Sequence, residues 1–308
     1  MLNFLLDIAP DKSQLLLTIK LAGILREKKQ EVYYTYTSNP AFTPVLYNKG
    51  ISNCVLYPDD FRWLKPDLTL LDCRHAAHAS LYWQLAIDYI FISMQLPDQK
   101  NIQDKDISIL YLPPTPYLSS DSGPRLETLT KRLQDIKKDK ERNIIVGLLG
   151  KGNKNSKILE DFYRVIKRSS IRNPRYQFIL LTDIPNVYQS SELPDNMELF
   201  RTLNLNTILP LCDLALTDSH SDAWLDCTFA QIPVLKYSPK DMINITPMKL
   251  EQQIEYALQN KTTLTQKAKE LCDFFERKNR EINKIADMLI ERAGRNRYNS
   301  CRLRPHTY

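Results

Sequence analysis

The sequence predicts an α/β protein made of two facing Rossmann-like domains with a cleft between them. Three observations carry this. The chain has 308 residues, enough for two domains of ordinary size. Short apolar runs alternate with helical stripes, the pattern of parallel β-α-β units. The pattern also runs twice, restarting after a charged stretch that begins near residue 119.

In the first half, Leu2–Ile8 is a short apolar run suited to a buried strand, and Ser13–Lys28 carries Leu17, Leu21, Ile24 and Leu25 as a helical stripe. Glu31–Thr37 is rich in β-branched and aromatic residues and reads as a strand. Cys54–Tyr57 and Leu68–Leu71 read as buried strands, His75–Ala86 as a helix, Tyr89–Met94 as a strand and Leu110–Leu112 as the last strand of the sheet. Residues 1–118 form the first domain and 119–142 a linker, SSDSGP followed by a charged helical segment. The second domain, 143–290, repeats the alternation. Its strands are Asn143–Leu149, Phe178–Leu181, Met197–Phe200, Leu214–Thr217 and Pro233–Tyr237. Its helices are Lys157–Lys167, Leu205–Leu211 and Asp222–Ala230. From Pro247 to about Ala293 the sequence is helical throughout, and 291–308 is a basic tail.

Composition excludes several classes. With 43% hydrophobic and 25% charged residues, the chain is not a disordered one. Five arginines (Arg292, Arg295, Arg297, Arg302, Arg304) follow Glu291 with no acid among them. Removing them from the net charge of +6 leaves +1 for the first 291 residues, so the body is not a nucleic-acid-binding surface. The basic tail is a candidate for peripheral contact with anionic lipid headgroups. No run of 18 apolar residues is present, and Met1–Pro10 lacks the basic segment of a secretory signal. The six cysteines form no CxxC pair and no framework spacing, which fits reduced thiols and a cytoplasmic location.

Glycine is scarce, seven in all, yet Gly147, Gly150 and Gly152 fall within six residues. They follow the second domain's first strand and precede its first helix, where glycine lets backbone amides approach an anion. The spacing is neither GxGxxG nor a P-loop, and a tight strand-to-helix turn explains it equally well. The segment TDSHSDAWLD, residues 217–226, joins a buried strand to a helix opened by good capping types. Ser219, His220 and Ser221 would gather hydroxyls, an imidazole and free amides at that helix start, a set suited to a diphosphate. Cys73, His75 and His78 spell CxHxxH after a strand end. A zinc site needs more ligands than this local count provides, so no metal is assigned, and the two histidines either line the acceptor side of the cleft or are plain helix residues.

The stretch Asn196–Pro233 (NMELFRTLNLNTILPLCDLALTDSHSDAWLDCTFAQIP) resembles the donor-binding region of GT-B nucleotide-sugar glycosyltransferases of the UDP-glycosyltransferase type. It matches without a gap through Leu209, Asp213, Thr217, Ser221 and Pro233. LAGILREKKQEV, residues 21–32, and KPDLTLLD, residues 65–72, are similar to that family's first-domain motifs. The resemblance implies a GT-B fold whose last helix crosses back to the first domain. It implies a sugar passed from a nucleotide-sugar to an acceptor hydroxyl, with no metal and no cofactor beyond the nucleotide-sugar substrate.

On this resemblance the donor site comprises Gly150, Lys151, Gly152, Thr202 facing the base, Ser219, His220, Ser221, Asp226 on the ribose hydroxyls, and Asp241. The sequence departs from the family at several of these. The family's H-G-G becomes Asp218, Ser219, His220, its ribose Glu becomes Asp226, and its P-Q pair becomes Asn204 and Leu205. The family's general-base His falls on Gln14, which takes no proton at neutral pH. Asp11 in the same loop is therefore the candidate base, with Asp7 second, although Asp is a favoured cap type and a helix cap is the plainer reading of Asp11. The chain is also similar to the UDP-sugar hydrolase of the pseudaminic-acid pathway, with Trp224 inside the motif helix, which implies water in place of the acceptor. A third reading is a catalytically degenerate binding or partner protein.

Overall fold

The computed structural model describes residues 1–8, 12–35, 53–54, 64–94, 109–112, 124–138, 142–149, 156–182, 193–201, 203–219 and 223–302. The chain forms two compact units, Met1–Thr115 with Asp273–Tyr308, and Pro116–Cys272.

The first unit runs β1 (Asn3–Asp7), α1 (Lys12–Glu27), β2 (Glu31–Thr35), β3 (Asn53–Cys54) and β4 (Leu68–Asp72). A 3-10 segment, Cys73–His78, then leads into α2 (Ala79–Gln84), β5 (Tyr89–Met94) and β6 (Ile109–Leu112). The sheet order is β3-β2-β1-β4-β5-β6 with every pair parallel. This is the doubly wound order, and the winding reverses between β1 and β4. Both strands are buried on both faces, as central parallel strands must be. Phe4, Leu6, Leu68 and Leu70 face α1, where Leu17, Leu21 and Leu25 pack on them. Leu5 and Leu71, of opposite parity, join Tyr82 of α2 in a smaller cluster on the other face.

The second unit opens with α3 (Pro124–Lys138), then β7 (Asn143–Leu149), α4 (Ser156–Arg172), β8 (Tyr176–Thr182) and β9 (Met197–Phe200). There follow α5 (Leu205–Ile208) with the 3-10 turn Leu209–Leu211, β10 (Leu214–Asp218), α6 (Ala223–Phe229) and β11 (Val234–Tyr237). Three helices close this stretch: α7 (Pro239–Asn244), α8 (Pro247–Gln259) and α9 (Lys261–Arg280), the last crossing the unit boundary. The sheet order β11-β10-β7-β8-β9, again wholly parallel, repeats the winding of the first unit and reverses between β7 and β10.

The residues predicted as a linker include α3, whose Leu129 and Leu133 are buried against Ile144, Val146 and Ile179. Apolar residues spaced four apart were hidden by the charged residues between them. The single long helical region after Pro247 is three helices, interrupted at Asn260 and Glu281. The last, α10 (Ile282–Arg302), buries Ile282, Ala286, Leu289 and Ala293 in the core that contains Phe4 and Leu17. The compact units gather 273–308 with residues 1–115, so the last helix belongs with the first unit, the arrangement the resemblance implies, while the boundary falls before residue 290. The helix spacing of those apolar residues explains their packing against α1.

The basic tail begins inside α10. Arg292 donates to both oxygens of Asp88 at 2.8 and 2.9 Å, and Asn296 adds a third bond to the same carboxylate. Arg295 pairs with Glu291, and Arg297 reaches Met1 O at 2.6 Å. These pairings reduce the charge that the tail offers to a lipid surface. No helix among the described residues is long and apolar enough to cross a membrane.

The shortage of glycine leaves a mark on three helix ends. Lys29, Ala86 and Gln231 follow α1, α2 and α6 with φ of 61°, 54° and 57°. In each case the next amide donates to the carbonyl five residues back: Gln30 to Leu25, Ile87 to Tyr82, Ile232 to Cys227. That is the Schellman ending, in which the left-handed position ordinarily falls to glycine.

Candidate active site

In a doubly wound sheet, ligands bind beyond the carboxyl ends of the strands at the point where the winding reverses. In the first unit that point lies between β1 and β4. Asp7 is the last residue of β1 and is 2% exposed. Asp72 is the last of β4, and its carboxylate caps the 3-10 segment, accepting from Arg74 N at 2.9 Å. The Arg74 guanidinium folds back onto the same carboxylate, Nη2 to Oδ2 3.0 Å. The cap sets the direction of the segment, and a kink at His75 (φ −100°, ψ 24°) joins two short turns so that both imidazoles come to one side. His75 and His78 therefore share a face, their ring centroids 4.9 Å apart.

Both imidazoles meet Asp7. His75 Nδ1 lies 3.0 Å from Oδ1, and His78 Nδ1 lies 2.7 Å from Oδ2. Tyr82, in the first turns of α2, donates its hydroxyl to Oδ2 at 2.6 Å. Burial, then the Asp7 charge and hydrogen bond, push the Tyr82 phenol well above its ordinary range, so it is a permanent donor. Two imidazole nitrogens and one phenol hydroxyl thus converge on one buried carboxylate, while the His78 side chain remains 51% exposed and His75 26%. The predicted helix over His75–Ala86 begins instead as this kinked 3-10 segment at Cys73, from which both histidines reach one carboxylate.

Sequence reasoning placed His75 and His78 on the acceptor side and Asp7 among the bases without joining them. The missing signal was long-range: 68 and 71 residues separate the partners. The strand order 2-1-4 expected of a parallel doubly wound sheet would have brought the ends of the first and fourth strands together. Asp11 lies outside the described residues.

In the second unit the reversal falls between β7 and β10, which pair as Thr217 with Leu148. The two loops selected from sequence, around Gly150–Gly152 and Ser219–Ser221, follow these adjacent strands. Gly150, Lys151, Gly152, Thr202, His220 and Ser221 lie outside the described residues. Ser219 is exposed, its amide donating to Tyr237 O at 2.8 Å. Asp226 is 8% exposed, on α6. Gly147 lies inside β7, not in the loop, and a Cβ there would collide with the Leu180 side chain, so packing against β8 accounts for it. Asp241 occupies the third position of α7 and forms a capping box with Ser238, whose amide and hydroxyl donate to Oδ2 at 2.9 and 2.6 Å. It also lines a cavity of about 630 Å³ with Lys236, Tyr237, Lys249 and Gln253. Trp224 lies under Lys236, Nζ 3.8 Å from the ring centroid, and burial lowers the pKa of that lysine.

No family model matches the chain, and no curated protein matches it. Solved structures do. The spinosyn forosaminyltransferase SpnP is similar at TM-score 0.65 and 14% identity, over 95% of this chain and 99% of its own. The spinosyn rhamnosyltransferase SpnG, solved with thymidine diphosphate and with spinosyn aglycone, gives TM-scores of 0.63 and 0.64 at 11% identity over 92% of this chain, covering 100% and 99% of its own. A putative UDP-N-acetylglucosamine 2-epimerase from Listeria monocytogenes gives 0.62 at 12% identity, over 87% and 90% of the two chains. At such identities the likeness is one of fold, and the fold is that of GT-B glycosyltransferases.

Proposed function

We propose that this protein transfers a sugar from a nucleotide-sugar to an acceptor hydroxyl, with His78 as general base and Asp7 as the group that orients it. The observation that carries the proposal is the pair of Nδ1 contacts from His75 and His78 to buried Asp7 at the winding reversal of the first sheet. An Nδ1–H bond to a carboxylate leaves the lone pair on Nε2, the nitrogen that accepts a proton. As the acceptor oxygen bonds to the anomeric carbon, its proton passes to His78 Nε2. The bond from that carbon to the diphosphate breaks, and the nucleoside diphosphate leaves with the bonding electrons. Asp7 stabilises the imidazolium, and Tyr82 holds Asp7 in place. His78 is chosen over His75 for its greater exposure. Asp7, surrounded by donors, serves better as orienting group than as base.

Donor binding is assigned to the second unit. Gly150, Lys151 and Gly152 with Ser219, His220 and Ser221 follow β7 and β10 in sequence and would receive the diphosphate, while Thr202 and Asp226 would meet the nucleoside and Asp241 the sugar. SpnG, solved with a nucleoside diphosphate and with an aglycone, supports this pairing of partners.

Thermal-shift titration with UDP-, GDP- and dTDP-sugars, followed by product analysis with and without candidate acceptors, tests the reading. Stabilisation by one nucleotide class and acceptor-dependent release of nucleoside diphosphate are expected. Free sugar released in water alone would instead mark a hydrolase. Absence of any shift at millimolar nucleotide-sugar would leave the degenerate binding protein.

A further inference from the structure

The same cluster meets the requirements of a metal site that local ligand counting did not find. CxHxxH supplies two imidazoles, and the fold brings Asp7 to them as a third ligand. One donor atom from each residue lies within 4.8 Å of the others, and among the described residues no other three histidine, cysteine or acidic groups gather in this way. A tetrahedral ion bound at about 2.0–2.2 Å needs ligand atoms about 3.3 Å apart. The Nδ1–Oδ separations of 3.0 and 2.7 Å are near that value, and because they run to different oxygens of Asp7 the imidazoles must turn toward each other to share one ion. The carboxylate is fixed from behind by Tyr82, a second-layer bond of the kind that orients metal ligands. The exposed flanks of His75 and His78 leave room for water in the fourth position.

We infer that Asp7, His75 and His78 bind one divalent transition-metal ion of the zinc class. Two imidazoles and one carboxylate suit zinc or its neighbours, whereas magnesium and calcium favour oxygen ligands. Binding would also change the chemistry of the cluster. An ion on Nδ1 of a neutral imidazole displaces the proton to Nε2, which turns that nitrogen from acceptor to donor. Occupancy would therefore inhibit sugar transfer, a consequence that rests on His78 being the base, while the site itself does not.

The test is titration of the reduced full-length chain with zinc chloride against a chromophoric chelator. One equivalent of tight binding is expected, weakened at least tenfold in His75→Gln and in His78→Gln. It should be retained in His220→Gln and indifferent to millimolar magnesium. Circular dichroism of each variant without zinc checks folding, and cobalt(II) absorption on the unmodified chain gives a second view of the site. Absent binding at micromolar zinc, unaltered affinity in both cluster variants, or a cobalt spectrum dominated by thiolate would overturn the site. Intact binding without loss of transfer activity would fault the general-base reading of His78 and leave the metal site standing.

Discussion

Asp7 and His78 stand 71 residues apart in sequence and 2.7 Å apart in space. The topology makes the meeting. β1 and β4 are hydrogen-bonded neighbours with Asp7 in register with Leu71, so the turn that leaves β4 passes directly over the end of β1. If this contact positions a general base, His78→Gln lowers kcat for sugar transfer by about 10²–10⁴-fold with KM little changed. Steady-state kinetics on the donor and acceptor found by the thermal-shift screen decide it. A kcat within a few-fold of the parent would remove His78 from the chemistry.

Tyr82→Phe deletes a hydroxyl and keeps the ring that packs with Leu5 and Leu71. The Asp7 carboxylate then loses a donor inside the protein, a loss of about 1–3 kcal/mol. Urea denaturation should show a lower midpoint with an unaltered slope. An unchanged midpoint would mean that water replaces the hydroxyl without cost.

Lys29→Gly, Ala86→Gly and Gln231→Gly should each raise stability by up to about 1 kcal/mol, because a side chain at positive φ is relieved of its clash with the following carbonyl. The same substitutions at most surface positions lower stability, so the sign is diagnostic. Thermal melts of the three variants check it.

Asp241→Asn removes the acidic half of the α7 capping box and should lower Tm by about 2 °C at neutral pH. Hydrogen bonds from Ser238 hold the Asp241 carboxyl below its ordinary pKa in the folded protein. Its contribution is thus fully present above the unfolded value and disappears as pH falls through the folded one. The difference between parent and variant should shrink on acidification below the usual carboxylate range. A constant difference would show that the charge is irrelevant to the cap.

Burial pushes the Cys212 thiol up to about 12, with Asp213 reinforcing the shift. At pH 8 Cys212 is therefore protonated as well as enclosed, and Cys227 and Cys272 are buried too. Thiol-specific reagents should leave all three unlabelled in the native protein and label them in denaturant, as peptide mapping can establish.

Both sheets were legible because buried parallel strands read as short apolar runs. Leu68–Leu71 and Leu214–Thr217 needed no partner to be recognised. The helix over Pro124–Lys138 was less visible as part of a domain, since a few leucines among many charges look like a solvated linker until something packs on them. The Ser238–Asp241 cap carried a local signal, Ser-Pro-Lys-Asp, with proline at the first helical position and an acid at the third. The same aspartate also answers to the family motif, which points to donor binding and not to a cap. The Asp7 cluster was illegible for a different reason. Its members are ordinary singly, and only the order of strands within the sheet makes them neighbours.

The seating of α10 against α1 has a consequence for biosynthesis. The side chains that close the first unit's core, Ile282 through Ala293, are the last part of that core to leave the ribosome, after every residue of the second unit. The amino-terminal sheet must therefore wait, with one flank of α1 uncovered, while the unit translated later completes itself first. Chains stalled or cleaved before residue 282 would present that flank to chaperones and proteases.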